Sequence, residues 1–208
     1  CALPILETVD IAALNETQIG ALTTTQLGAL STTQMSAIST TGIGALSATQ
    51  LGALSATQIG ALTTDQIAAL DATDIAGLST TQVGGLTATQ IGSLSTGQVS
   101  ALETTDIAAL NETQIGALTP DQIGALSTTQ VSAISTTGIG ALSATQLGAL
   151  SATQIGALTT DQIAALDATD IAGLSTTQIG GLSASQVAAL STTQIKAIET
   201  TDLAALST

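Results

Sequence analysis

The chain has 208 residues, 44% of them hydrophobic, with no Phe, Trp, Tyr, His or Arg, one Cys and one Lys, and a net charge of −14. Without histidine there is no imidazole base, no histidine ligand for zinc and no Ser-His triad, and one cysteine makes neither a zinc cluster nor an internal disulfide. The acidic balance disfavours nucleic acid and anionic membranes, and apolar runs such as Ile67 to Leu70 fall far short of the roughly twenty residues of a spanning helix.

The chain opens on Cys1, where an initiator Met is expected, so it reads as a processed product or a window on a longer chain. Cys1 is a candidate for lipidation or an intermolecular disulfide, against the favoured reading that it marks where the chain was cut. Residues 1–6 form a degenerate entry unit, with Leu3 and Leu6 at its large apolar positions. From Glu7 to Leu206 follow twenty-five uninterrupted octads, and Ser207-Thr208 begins another, so residues 1–208 are one repeat array. The consensus is Ser/Thr, x, Thr, Gln, Ile/Leu/Val, Gly/Ala, Ala, Leu, as in Ser55 to Leu62.

Each octad carries its own helix start. Position one is Ser, Thr, Asp or Asn in most units, and with Gln at position four it makes a capping box. Pro120 follows Thr119 at the first helical position, where proline is best tolerated. Positions five and eight lie three apart and share a face. One continuous helix is excluded, because an eight-residue repeat drifts by about 80° per unit around an α-helix. The prediction is therefore an all-α solenoid of short two-turn helices, one per octad. A β-solenoid is the alternative, disfavoured because the large residues of Ile-Gly-Ala-Leu stand three apart and not two.

Down the chain, position four is Gln in eighteen octads; the exceptions are Asp10, Gly42, Asp74, Asp106, Gly138, Asp170 and Asp202, each four octads from the next. Position six keeps the same phase: the octad after each exception has Gly there, from Gly20 and Gly52 to Gly180. The expectation is a solenoid with about four helices per coil, Ile and Leu facing inward and small residues allowing close approach. A longer period of twelve octads returns Thr41–Val83 at Thr137–Ile179 with only the last residue changed.

The exceptional octads hold ten of the fifteen acids, at positions one and four. Stacked, they make an acidic stripe, and Asp71, Asp74, Glu103, Asp106, Asp167 and Asp170 are weak candidates for calcium. Capping and solubility are the stronger reading, since negative charge is favoured at a helix N-terminus and two carboxylates per octad fall short of six to eight oxygens. Asn15 and Asn111 each open Asn-Glu-Thr, a glycosylation sequon, but both occupy cap positions where Asn excels. No catalytic residue and no cofactor site stands out.

The recurring Ala-Leu-Thr/Ser-x-x-Gln-Ile, seen at Ala61 to Ile67, resembles the octapeptide arrays of large bacterial secreted or cell-surface proteins of adhesin or matrix type. That resemblance, the uniform repeat and the unclosed ends imply an extracellular structural protein, not an enzyme. It would belong to a filament, sheath, matrix or adhesin stalk, by head-to-tail self-association or by continuation in a longer chain. The alternative is a module binding carbohydrate, ice or calcium through a Thr-rich face or the acidic stripe.

Overall fold

The computed structural model describes residues 6–206, so Cys1 and Ser207-Thr208 lie outside the described residues. Among those described there are twenty-five helices and no strand, from α1 (Thr8–Ala12) to α25 (Thr200–Leu203), one per octad. The octads are all-α, as expected. Each helix runs four to six residues, nearer one and a half turns than two, because the remaining residues turn the corner. Position eight is commonly extended, as at Leu94 (φ −60°, ψ 142°), and the next cap is extended too, as at Ser95 (φ −68°, ψ 159°). The turn uses no positive φ among the described residues.

Helices this short do not persist alone; they are held by their ends and by stacking. At Ser55 the hydroxyl accepts from the Gln58 backbone N–H at 3.2 Å, while Gln58 Oε1 accepts from the Ser55 N–H at 2.9 Å. The same reciprocal box opens α15 (Pro120–Ala125) at Thr119, directly before Pro120. Position five is fully buried through most of the array (Ile59, Ile67 and Ile163 are 0% exposed), and position eight almost so.

The fold divides into two compact units, Cys1–Ala109 and Leu110–Thr208. In the first, α7 (Ala56–Gly60) lies beside both α4 (Thr32–Ala37) and α10 (Thr80–Gly84), three octads before and after it. In the second, α15 packs on α18 (Ala144–Ala149), and α17 (Thr136–Gly140) on α20 (Thr160–Ala165), at the same interval. Side-chain bonds add a second interval: Gln58 reaches the carbonyls of Leu27 and Leu30, four octads back. Each octad thus has neighbours three and four units away, as a residue in an α-helix does. The four-octad relationship expected from the sequence resides in the side-chain bonds, and the helix packing falls at three.

Glycine sets the closest approaches. A Cβ on Gly60 would stand 2.5 Å from the Gly85 carbonyl oxygen, and one on Gly85 would stand 2.6 Å from that of Ala56. By contrast Gly52 and Gly148, among the glycines that keep the four-octad phase, face open space. Nothing in the structure explains why those positions are glycine.

Candidate functional site

The outer surface is built from positions one, two, three, six and seven, since five and eight are inside. Position four is also inside in most Gln octads: Gln66 is 1% exposed and Gln90 2%, whereas Gln18 is exposed and Gln26 half-buried. Gln90 Oε1 accepts from the Thr87 N–H at 2.7 Å, and its Nε2 donates to Ile59 O at 3.0 Å and Leu62 O at 2.7 Å. The second unit repeats this: Gln186 Nε2 donates to Ile155 O at 2.8 Å and Leu158 O at 2.7 Å. One side chain closes a helix start and ties it to the preceding coil. No buried side-chain polar atom among the described residues lacks a partner.

Sequence reasoning assigns glutamine to capping alone and misses this second role. A signal for it exists. Glu would serve the capping box equally well, yet no octad has Glu at position four. A carboxylate accepts the cap N–H but offers no donor to the carbonyls behind it.

In each unit the exceptional octads form a column without these bonds. Asp71 Oδ1 accepts from the Asp74 N–H at 2.8 Å and Asp74 Oδ2 from the Asp71 N–H at 3.0 Å. Asp167 and Asp170 do the same at 2.8 and 2.9 Å. Asp106 is buried, accepting from the Glu103 N–H at 3.1 Å and from the Thr80 hydroxyl at 2.9 Å. Asp202 takes the corresponding bond from Thr176. Asp74 and Asp170 have Ala48 and Ala144 where Asp106 and Asp202 have these threonines, and they remain half-exposed. Burial pushes the Asp170 carboxyl above its ordinary value, the negative charge of Asp167 adds to this, and the Asp167 N–H opposes it.

The carboxylates of these columns are thus used within the fold, as caps at Asp71, Asp74, Asp167 and Asp170 and as acceptors for a threonine at Asp106 and Asp202. Among the described residues no three carboxylates come together in an arrangement that could hold a metal ion. Gly42 and Gly138 interrupt the columns, and their space is taken: a Cβ on Gly42 would stand 3.0 Å from Ile38 Cγ2 and 3.2 Å from Ile19 Cγ1.

The two sequon asparagines cap their helices. Asn15 Oδ1 accepts from the Gln18 N–H at 2.9 Å and Asn111 Oδ1 from the Gln114 N–H at 3.0 Å, and both residues are exposed. Lys196 is exposed at position six of α24 (Thr192–Ala197). Shallow grooves run between neighbouring helices. One of about 370 Å³ is lined by Glu16, Thr40, Thr41, Gly44, Ala45 and Ala69, and one of about 340 Å³ by the residues twelve octads further on, from Glu112 to Ala165. Each has one carboxylate among hydroxyls and methyls, which is no acid–base pair. No helix among the described residues is long and apolar enough to cross a membrane.

The ALTTAQ repeat family model matches residues 4–40, 35–72, 67–104, 99–136, 131–168 and 163–197 in succession. The chain belongs to the ALTTAQ repeat family. The family's letters match Ala61-Leu62-Thr63-Thr64 and Gln66, with Asp65 in place of the second Ala, the end of one helix joined to the capping box of the next. Successive ALTTAQ matches start about four octads apart, the interval over which glutamine ties coil to coil. No curated protein matches the chain.

Proposed function

We propose that this array is a non-catalytic structural element of an extracellular filament, sheath, matrix or adhesin stalk, extended by end-to-end stacking of open coils. The observation that carries the reading is the polarity of the coil. Gln58 and Gln66 donate backward to Leu30 and Ile38, while Leu54 and Leu62 accept from Gln82 and Gln90 ahead. Donors on one face and acceptors on the other make a heterologous contact, which repeats without closing. The side-chain polar groups serve capping and stacking, and the composition has no aromatic residue and only one Cys and one Met. The resemblance to bacterial surface arrays supports the extracellular setting.

Electron microscopy of the purified array tests this. Fibres of uniform width with a regular axial repeat are expected; a monodisperse monomer at high concentration is the contrary result. The two Thr-lined grooves, twelve octads apart, favour a second reading, a carbohydrate-binding surface. A glycan array separates the two, since scaffolding alone gives no hits.

A further inference from the structure

We infer that the glutamine-free column is a compliant seam, along which the coils of each unit part more readily than along the glutamine columns. In the glutamine columns the position-eight carbonyls have donors one coil ahead: Gln82 for Leu54, Gln90 for Leu62, Gln98 for Leu70. In the seam the residues placed to serve Leu46 and Leu78 are Asp74 and Asp106, and an ionised carboxylate has no hydrogen to give. The carbonyls of Leu46 and Leu78, and in the second unit those of Leu142 and Leu174, accept no hydrogen bond from the described residues.

Two features make the seam more than a missing bond. It recurs every four octads, so its gaps fall in one column of each unit and act together. At some levels it also has a different link, Thr80 to Asp106 and Thr176 to Asp202 joining octads three apart, while Asp74 and Asp170 have Ala48 and Ala144 there and lack even that bond. These bonds hold the helix to its lateral neighbour and leave the coil behind untied. An edge stitched on one side and open on the other lets a coil tilt about its glutamine columns without breaking them. Local opening begins where backbone groups are least tied.

Amide hydrogen exchange on the full chain tests the seam. Residues 43–47 are expected to exchange faster than the equivalent 59–63, whose carbonyls Gln90 holds. Asp74→Gln supplies the missing donor and is expected to slow exchange at 43–47 roughly three- to tenfold, the worth of one or two hydrogen bonds. Asp74→Asn removes the charge and keeps the cap but is one methylene short, so no such slowing is expected. Asp170→Gln, read at 139–143, repeats the experiment in the second unit. Equal exchange of 43–47 and 59–63 in the unaltered chain overturns the inference. So does no slowing with Asp74→Gln, or equal slowing with Asn and Gln.

Discussion

The side-chain amide of Gln90 donates to the carbonyl of Leu62 at 2.7 Å, across 28 residues of chain. The same side chain accepts the Thr87 N–H that begins its own helix. Local and long-range order thus meet in one residue, and a coil cannot shift against its predecessor without disturbing a helix start. This coupling lets such short helices persist, because the free end of each is fixed from outside.

Replacing Gln90 by Glu separates the two roles. The capping acceptor stays, while two buried carbonyls lose their donor and a carboxylate is brought among them. A loss of about 2–3 kcal/mol is expected at neutral pH. It should shrink as the pH falls toward about 4, since burial raises the pKa of this Glu and its protonated form can donate again. Thermal melts of Gln90→Glu, Gln90→Ala and the unaltered chain over pH 3–8 check this, the Glu curve rising toward the unaltered chain on the acid side while the Ala curve does not.

Glycines at the same octad position should respond oppositely. Gly60→Ala puts a methyl 2.5 Å from the Gly85 carbonyl oxygen, forcing α7 and α10 apart at about 1–3 kcal/mol. Gly52 has nothing within 4 Å, so Gly52→Ala should gain about 0.5–1 kcal/mol from helix propensity. Denaturant titration of the two variants reads both signs, and Gly156→Ala with Gly148→Ala provides the same comparison in the second unit.

Much of the fold is legible in the sequence because its determinants are local. The cap at Ser55, the Gln58 that answers it and the inward pair Ile59 and Leu62 stand within one octad, and their spacing alone excludes a long helix. The four-octad phase is equally plain from Asp74 to Asp106, but its cause is not, since it lies in where the glutamine Nε2 points. The lateral interval of three octads is invisible for a related reason. It depends on backbone approach at Gly60 and Gly85, and neither glycine differs in kind from Gly52, which approaches nothing. The acids at Asp71 and Asp74 read as a stripe from their positions alone. Only the folded chain shows one oxygen of each turned to its own helix start.

Asn111 tests capping apart from the sequon. Its Oδ1 holds the Gln114 N–H, so Asn111→Ala should cost about 1 kcal/mol. Asn111→Ser keeps a capping acceptor while abolishing Asn-Glu-Thr, and should cost a few tenths at most. Urea midpoints for the two variants decide it: equal losses would mean that the side-chain cap contributes nothing at this turn.

Asp170 gives the array an unusual pH response in its second unit. Burial, then the charge of Asp167, raise its folded-state pKa above the ordinary 3.8, against the opposing Asp167 N–H. The folded chain therefore holds this proton more tightly than the unfolded chain, so the ionised form subtracts from stability at neutral pH. That loss is recovered as the pH falls through the raised value toward 3.8. Asp170→Asn keeps an acceptor for the Asp167 N–H and removes the charge. Its Tm is expected above that of the unaltered chain at pH 7, with the gap closing near pH 4. A variant that melts lower at pH 7, with a gap that closes as the pH falls, would show instead that the carboxylate is held in its charged form, as a cap favoured by the helix N-terminus.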